Sequence, residues 1–365
     1  MPLLLISNIF LLRKDILLKF VCLKNIKMVI RFTVLLISVF TLLSCNQKKA
    51  ALLNFSGFTQ GTTYSIVFET KKNNDPDDLK IKVENILHDF DMSLSLYQDS
   101  SILSRINRNE VVVMDQYFTE SFSKSVEISK MTGGAFDITV GSLVKAWGFG
   151  PDEHKSFTES KRDSLLKLVG MDKISIVNGR LIKSDPDIKL DFNAIAQGYA
   201  VDVICDFLKE SGLNNFLVEI GGEVRAIGTK SGDMWRIGID KPFDNNVSPG
   251  ANLEAIIMIS DEALATSGNY RKFYVEDGIK YSHTIDPRTG YPAKNTLLSA
   301  TIIADDCATA DGIATACMVM GLEQSIGFIS KNPQFKAFFV FSDEGGYFKT
   351  WISPELSERM IDPEN

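Results

Sequence analysis

Apolar residues follow two different spacings along this chain, and the two spacings predict two kinds of element. In four segments they recur every three or four positions, which is the spacing of one buried helix face. These segments are Leu79 to Asp91, Phe118 to Met131, Ala200 to Ser211 and Asp311 to Met320. Gly212 and Gly321 follow the last two, where glycine commonly ends a helix. We therefore expect four helices.

Other segments alternate or run apolar over a short distance, which is typical of strands. They are Phe58 to Phe68, Leu217 to Ile220, Trp235 to Ile239, Glu254 to Ile259 and Ala300 to Ile303. Strands outnumber regular strand-helix-strand alternations, so the pattern predicts an α+β fold with mixed or antiparallel sheets and packed helices, rather than a doubly wound parallel sheet.

The N-terminal region reads as a leader, not as part of the fold. Val29 to Leu43 is one basic residue followed by an apolar run that is short for a membrane span. It ends at Ser44-Cys45 and resembles a bacterial lipoprotein signal in which Cys45 accepts the lipid; an ordinary signal anchor is the alternative. We predict a leader over 1–44 whose start is Met1 or Met28, a lipidated tether over 45–57, and a folded domain over 58–365.

Charge and cysteine content narrow the function classes. The 365 residues carry a formal net charge of -7, which argues against nucleic-acid binding because phosphate backbones require clustered Lys and Arg. Five cysteines include Cys22 in the leader and Cys45 directly after it. The other three, Cys205, Cys307 and Cys317, are expected to be buried free thiols, with a Cys307–Cys317 disulfide as the alternative.

Two segments carry the strongest chemical signal. Tyr281 to Pro292 (YSHTIDPRTGYP) combines His283, Asp286 and Arg288 in one loop. Asp286 and Arg288 are as compatible with a loop-stabilising ion pair as with phosphate contact. Asp311 and Thr315 are four residues apart on a predicted helix, so a carboxylate and a hydroxyl share one face and can bind a hard cation. A capped helix start is the alternative for this pair.

Four glycine-containing or polar segments are weaker candidates. Met131 to Gly150 carries Asp137 among glycines that let a ligand approach the backbone. Asp191 to Ala200 places Asp191, Ala194 and Gln197 at the entrance of a helix, although Asp191 is equally a candidate helix cap. Glu219 to Arg225 and Ala265 to Tyr270 are read as turns at strand ends that can line a pocket.

Seven segments in this order resemble one known family. They are LSLYQDSSILSRIN, GGAFDITVGSLVKAWGFG, LDFNAIAQGYAVD, EIGGEVRAIG, ATSGNYRKF, HTIDPRTGYP and ADGIATACMVMG. The family is ApbE, the FAD:protein FMN transferases, and the resemblance extends from about Phe58 to the C-terminus. It implies a T-fold-related α+β architecture, with FAD as substrate, Mg²⁺ as cofactor and a phosphoester bond from FMN to a Thr or Ser of an acceptor protein.

The resemblance also implies roles for individual residues. The flavin contacts would be Tyr97, Ala135, Phe136, Asp137, Asp191, Gln197 and Ile285. The metal ligands would be the Ala194 carbonyl, Asp311 and Thr315, and His283 would take the hydroxyl proton or polarise a phosphate. The chain has Ala314 where some members carry a further Asp, and Gln60 where many carry Met.

The resulting hypothesis is a lipid-anchored flavin transferase on the extracytoplasmic face of the cell membrane, acting on exported subunits of redox complexes. Two alternatives remain open at this stage. One is an FAD pyrophosphatase that releases FMN and AMP without an acceptor. The other is a flavin-binding or solute-binding lipoprotein without catalysis.

Overall fold

The structure is a computed structural model that describes residues 51–70, 74–149, 158–243, 250–269, 273–276, 279–282 and 284–363. These belong to a unit that begins at Ala51. The predicted start at Phe58 was therefore late: Ala51 pairs with Thr70, so 51–57 form a strand instead of a tether. The leader over 1–44 and Cys45 lie outside the described residues.

Fifteen strands are formed in the described part of the chain. They are β1 Ala51–Thr59, β2 Thr62–Thr70, β3 Ile174–Val177, β4 Arg180–Lys183, β5 Phe216–Ile220, β6 Glu223–Ile227, β7 Trp235–Asp240, β8 Leu253–Ile259, β9 Glu262–Gly268, β10 Phe273–Glu276, β11 Ile279–Ser282, β12 Leu297–Ala304, β13 Lys336–Ser342, β14 Phe348–Ile352 and β15 Met360–Ile361.

Nine α-helices accompany them in the same described ranges, together with a 3-10 helix at Met171–Lys173. They are α1 Pro76–Leu94, α2 Ile102–Asn107, α3 Gln116–Met131, α4 Gly141–Ala146, α5 Glu159–Leu166, α6 Ala196–Glu210, α7 Cys307–Met320, α8 Leu322–Lys331 and α9 Pro354–Ser357. No helix in these ranges is long and apolar enough to cross a bilayer.

An eight-stranded antiparallel sheet forms the middle of the molecule, in the order β1-β2-β5-β6-β9-β12-β13-β14. Side chains alternate between its faces. Phe339 of β13 joins the core under the helices, whereas Phe338 joins a second core against the small sheet β15-β8-β7. Helices α6 and α7 contribute Ile204 and Ile313 to the first core, so the sheet supports the helices that carry the candidate site.

The α+β prediction is confirmed, and each of the four predicted helices is present with earlier or later ends. The turn predicted at Glu219 to Arg225 is confirmed, because Gly221 and Gly222 join β5 to β6. The turn predicted at Ala265 to Tyr270 was wrong over the described residues, since Ala265 to Gly268 belong to β9 and pair with β12.

Two further expectations are resolved in the described fold. The segment predicted as one strand, Phe58 to Phe68, is divided by a two-residue turn at Gln60 and Gly61. Both turn residues have positive φ, 50° and 73°, as the tight hairpin turn favoured by twisted strands requires.

Cys205, Cys307 and Cys317 are buried free thiols, which confirms the cysteine prediction and excludes the Cys307–Cys317 disulfide.

Candidate functional site

Helix α7 carries the predicted pair Asp311 and Thr315 in its interior. The helix begins at Cys307 because Asp306 caps it: the Asp306 carboxylate accepts from the Thr309 N–H at 2.8 Å and from the Thr309 hydroxyl at 2.9 Å. The alternative reading of Asp311 as a residue of the capped helix start was therefore wrong. Asp311 is instead a buried carboxylate in the body of a helix that is buried over most of its length.

The start of α6 lies directly against the start of α7. An added Cβ on Gly198 would lie 2.4 Å from the Cys307 carbonyl oxygen and 2.8 Å from the Asp311 Cβ. Without a side chain there, the Gly198 N–H reaches Asp311 and donates to its Oδ2 at 3.1 Å. Among the described hydrogen bonds, the Gly198 N–H does not donate to the carbonyl oxygen of Ala194, four residues earlier. The Ala194 carbonyl oxygen can therefore still accept a bond from a ligand or bind a metal ion.

The electrostatics of Asp311 suit a bound cation. Burial raises the pKa of Asp311 to about 7, the Gly198 N–H lowers it and the nearby Asp202 raises it further. Within the described residues, no Lys or Arg forms an ion pair with Asp311. A buried carboxylate without a cationic neighbour is what a divalent ion would neutralise.

The donor set fits Mg²⁺ better than a transition metal. The described residues contain no cluster of three or more His, Cys, Asp or Glu that could hold a metal. The predicted set is one carboxylate, one hydroxyl and one backbone carbonyl, all of them oxygens. Mg²⁺ takes few protein oxygens and completes its shell with water and substrate phosphates.

Thr315 is held by the sheet rather than by its own helix. Its Oγ1 lies 3.1 Å from the Ser267 Oγ on β9. Among the described side-chain hydrogen bonds, the partner of the Thr315 hydroxyl is therefore another side chain and not a carbonyl of the preceding helical turn. This contact sets the rotamer of Thr315 one turn beyond Asp311.

The Asp191 segment precedes α6 in the chain. Asp191 does not cap α6, which begins at Ala196 after Ile195 at the cap position, so the cap reading was wrong. Its carboxylate accepts from the Asn193 N–H at 2.8 Å, which forms a local turn, and burial raises its pKa. The Asp191 N–H donates to the Ile138 carbonyl at 2.8 Å, which joins this turn to the Asp137 segment.

The Ala135-Phe136-Asp137 segment is bound tightly into the protein. Ala135 and Phe136 are 1% and 2% exposed. The Phe136 ring lies close to Gly312, the residue after Asp311, because an added Cβ on Gly312 would lie 3.4 Å from the Phe136 Cε2. The Asp137 carboxylate accepts from the Thr139 N–H and hydroxyl at 2.7 and 2.6 Å and from the Met171 N–H at 3.1 Å. Burial raises the pKa of Asp137. Their role as flavin contacts stays a prediction.

Gln197 lies where two hairpin turns meet. An added Cβ on Gly221 would lie 2.7 Å from the Gln197 Nε2 and 3.0 Å from the Thr62 Cγ2. The β1–β2 turn and the β5–β6 turn therefore both reach the first turn of α6. The side-chain amide of Gln60 in the first of these turns is buried without a hydrogen-bond partner among the described residues.

The loop after β11 is anchored by α4 and α5. Ile285 is buried with Leu143 and Trp147, and the Trp147 indole N–H donates to the Gly290 carbonyl at 2.9 Å. Arg162 lies over the Tyr291 ring with its Cζ 4.5 Å from the ring centre.

In the same loop, Arg288 pairs with Asp286, with Nε–Oδ1 2.9 Å and Nη2–Oδ2 3.0 Å. The loop-stabilising reading of that pair is confirmed. His283 lies outside the described residues, so its catalytic role stays a prediction.

Tyr97 lies apart from this junction. It follows the end of α1, where its N–H donates to the Ser95 Oγ at 3.1 Å, and its side chain is 67% exposed. No described hydrogen bond or ring contact links it to α6 or α7. An exposed aromatic ring is available for stacking on a planar ligand.

Sequence reasoning missed the residues that join the parts of the site. Gly198 and Gly312 permit close approach to α7, and a glycine inside a helical pattern is the signal that could have indicated them. Asp202 is a charge within the apolar stretch Val201 to Cys205, which could have marked it as a buried ion-pair partner. Its partner Arg225 ends the segment predicted as a turn at Glu219 to Arg225, but nothing in the linear sequence pairs it with Asp202.

Comparison with known proteins places the chain in one family. A model of the ApbE family matches residues 60–339. The chain is 36% identical over 327 residues to the FAD:protein FMN transferase of Vibrio cholerae, covering 88% of this chain and 96% of that relative. It is 34% identical over 322 residues to the FAD:protein FMN transferase of Haemophilus influenzae, covering 83% and 90%.

Solved structures give the same result. The flavin transferase ApbE from Vibrio cholerae superposes with a TM-score of 0.76 at 35% identity, covering 85% of this chain and 99% of that one. The apo form of the Pseudomonas stutzeri flavinyl transferase ApbE superposes with a TM-score of 0.76 at 33% identity, covering 86% and 98%.

Proposed function

The chain belongs to the ApbE family and is a flavin transferase, and we propose that it moves FMN from FAD to a Thr or Ser hydroxyl of an acceptor protein in a Mg²⁺-dependent reaction. The observation that carries the proposal is the buried Asp311 at the α6–α7 junction, whose carboxylate accepts from the N–H of Gly198, four residues after Ala194. This bond supports a site to which α7 and the segment before α6 would both contribute oxygen ligands.

The proposed reaction is a phosphoryl-type transfer. The acceptor hydroxyl oxygen attacks the phosphorus of the FMN half, the bond from that phosphorus to the bridging oxygen breaks, and AMP leaves with that oxygen. The hydroxyl proton passes to a base, for which His283 is the candidate because an imidazole titrates near neutrality. The product is a phosphoester between FMN and the acceptor.

The residues of the chain act mainly by binding and orientation, as in other phosphoryl transfers. In this proposal Asp311, Thr315 and the Ala194 carbonyl would hold the ion, and Gln197 and Asp191 would contact FAD. When bound, Mg²⁺ would neutralise charge on the FAD diphosphate and align the phosphorus for attack. Tyr97 offers an exposed ring to the flavin, and the buried Ile285 positions the loop that carries His283.

The experiment incubates the purified full-length protein with FAD, with or without Mg²⁺ and with or without a Thr-containing exported acceptor. AMP release and covalent flavin fluorescence on the acceptor are measured. We expect both to require Mg²⁺ and acceptor together, and Asp311→Ala to abolish both in a protein that still unfolds cooperatively. Equal AMP release without acceptor, and no labelled acceptor, would identify a pyrophosphatase. Intact FAD under all conditions would identify a binding protein.

The proposal extends to location. Leu42-Leu43-Ser44-Cys45 supports lipidation of Cys45 and attachment to the extracytoplasmic face of the cell membrane. Labelled fatty acid should enter the wild-type chain and not Cys45→Ser. Equal labelling of the two would refute the anchor.

A further inference from the structure

We infer that Asp202, paired with Arg225, is a positioning residue that sets the place of Asp311 in the proposed metal site. The inference rests on the proposed function, and it concerns a side chain that does not itself reach the ion. It follows from three sets of contacts that meet at the start of α7.

The first set is the environment of the Asp202 carboxylate. Oδ1 accepts from the Arg225 Nη1 at 2.6 Å and from the Cys307 N–H at 2.9 Å, and Oδ2 accepts from the Ala308 N–H at 2.9 Å. The side chains of Asp202 and Arg225 are 10% and 15% exposed. One carboxylate on α6 thus satisfies the first two N–H groups of α7 while a guanidinium from β6 balances its charge.

The second set concerns the face of α6 on which Asp202 lies. Gly198 and Asp202 are four residues apart, so they share a face. Gly198 donates to the Asp311 carboxylate, and Asp202 accepts from the residues that begin the same helix. Two successive turns of α6 therefore attach to α7 at two points, which defines both the separation and the rotation of the helices.

The third set shows why the bonds from Asp202 to the start of α7 affect the bond from Gly198 to Asp311. Asp311 follows Cys307 by four residues, about one helical turn. A displacement of the first turn of α7 therefore moves the Asp311 carboxylate relative to Gly198 and to the Ala194 carbonyl. Among the described N–H groups at the start of α7, the Asp306 side chain accepts only from that of Thr309, its other partners being the Thr309 hydroxyl and Lys124, so it does not replace Asp202.

The arrangement is costly in stability, which is consistent with a functional reason for it. Burial raises the pKa of Asp202 to about 6 although Arg225 lowers it. Apolar side chains of similar volume often replace a buried ion pair without loss of stability. What they cannot provide is a pair of acceptors directed at two adjacent N–H groups, which fixes the helix start in one position.

The test uses the full-length protein and measures Mn²⁺ binding directly by electron paramagnetic resonance, in addition to the Mg²⁺ dependence of FAD turnover. We expect Asp202→Asn to weaken Mn²⁺ binding and to raise the half-saturating Mg²⁺ by about 10- to 100-fold, the range found when groups that orient metal ligands are removed. Arg225→Met keeps the carboxylate and should give a smaller shift in the same direction.

Glu262→Gln is the matched control. Glu262 is 15% exposed and pairs with Lys336 at 2.7 Å and with Arg359, so its loss also breaks a partly buried ion-pair network but leaves the α6–α7 contact intact. We expect it to lower stability without changing Mn²⁺ affinity.

If Asp202→Asn does not fold, the Mn²⁺ affinity of Arg225→Met tests the inference instead. Wild-type Mn²⁺ affinity in the folded variants overturns the inference and leaves the proposed function standing. A wild-type protein that binds no divalent ion overturns the proposed function itself.

Discussion

Gly198→Ala tests whether the contact between α6 and α7 determines activity. The substitution adds one methyl group and changes no charge. Its Cβ would lie 2.4 Å from the Cys307 carbonyl oxygen, where real contacts are longer than 3.0 Å. The obstacle is backbone, so no side-chain rotation relieves it and the two helices must separate by roughly half an ångström.

The magnitude follows from two opposing terms. Alanine gains up to about 1 kcal/mol over glycine in a helix. Overpacking costs about 1 to 3 kcal/mol, and contact with backbone belongs at the upper end. We expect the free energy of unfolding to fall by about 2 kcal/mol. Each kcal/mol lost lowers Tm by about 2 to 4 °C.

Activity should fall further than stability. The separation lengthens the 3.1 Å bond from the Gly198 N–H to the Asp311 Oδ2 beyond hydrogen-bonding range. The Asp311 carboxylate then loses its orienting donor, and we expect at least a tenfold loss in kcat/KM for FAD at limiting Mg²⁺.

The assay compares Gly198→Ala with Gly327→Ala by thermal unfolding and by FAD turnover across a Mg²⁺ titration. Gly327 lies within α8, and an added Cβ there meets no atom within 4 Å. That control should gain about 0.5 to 1 kcal/mol and keep wild-type turnover. The reasoning is refuted if Gly198→Ala matches the control in both stability and Mg²⁺ dependence.

Two further predictions follow from the same geometry. Because burial raises the pKa of Asp311 from 3.8 to about 7, the folded chain retains a proton there that the unfolded chain releases, and metal-free stability falls as pH rises from about 4 to about 7. Asp311→Asn should flatten that part of the stability curve in EDTA while abolishing turnover; an unchanged slope would show that Asp311 is not the group. Trp147→Phe removes the 2.9 Å bond to the buried Gly290 carbonyl, and we expect a loss of about 1 to 3 kcal/mol and a higher KM for FAD. Trp235→Phe is its control, because the Trp235 indole N–H has no hydrogen-bond partner among the described residues; equal effects in both variants would contradict the prediction.

The sequence by itself determined which faces are buried and which residue types are available for chemistry. The spacing in α7 places Asp311 and Thr315 on one face whatever packs against them, because an α-helix repeats every 3.6 residues. The segment Ala300 to Ile303, apolar except for Thr301, agrees with a strand covered on both faces. The order of the motifs indicated the family.

Only the tertiary structure decided which distant groups meet. The Gly198–Asp311 bond joins residues 113 positions apart, and the Asp202 carboxylate joins α6, β6 and α7. Hydrophobic periodicity reports that a face is buried, but not which partner buries it, because partners depend on the path of the whole chain. The start of α7 at Cys307 likewise depends on Asp202 and Asp306 together. The local elements were therefore readable from the sequence, whereas the position of the carboxylate at the centre of the site was not.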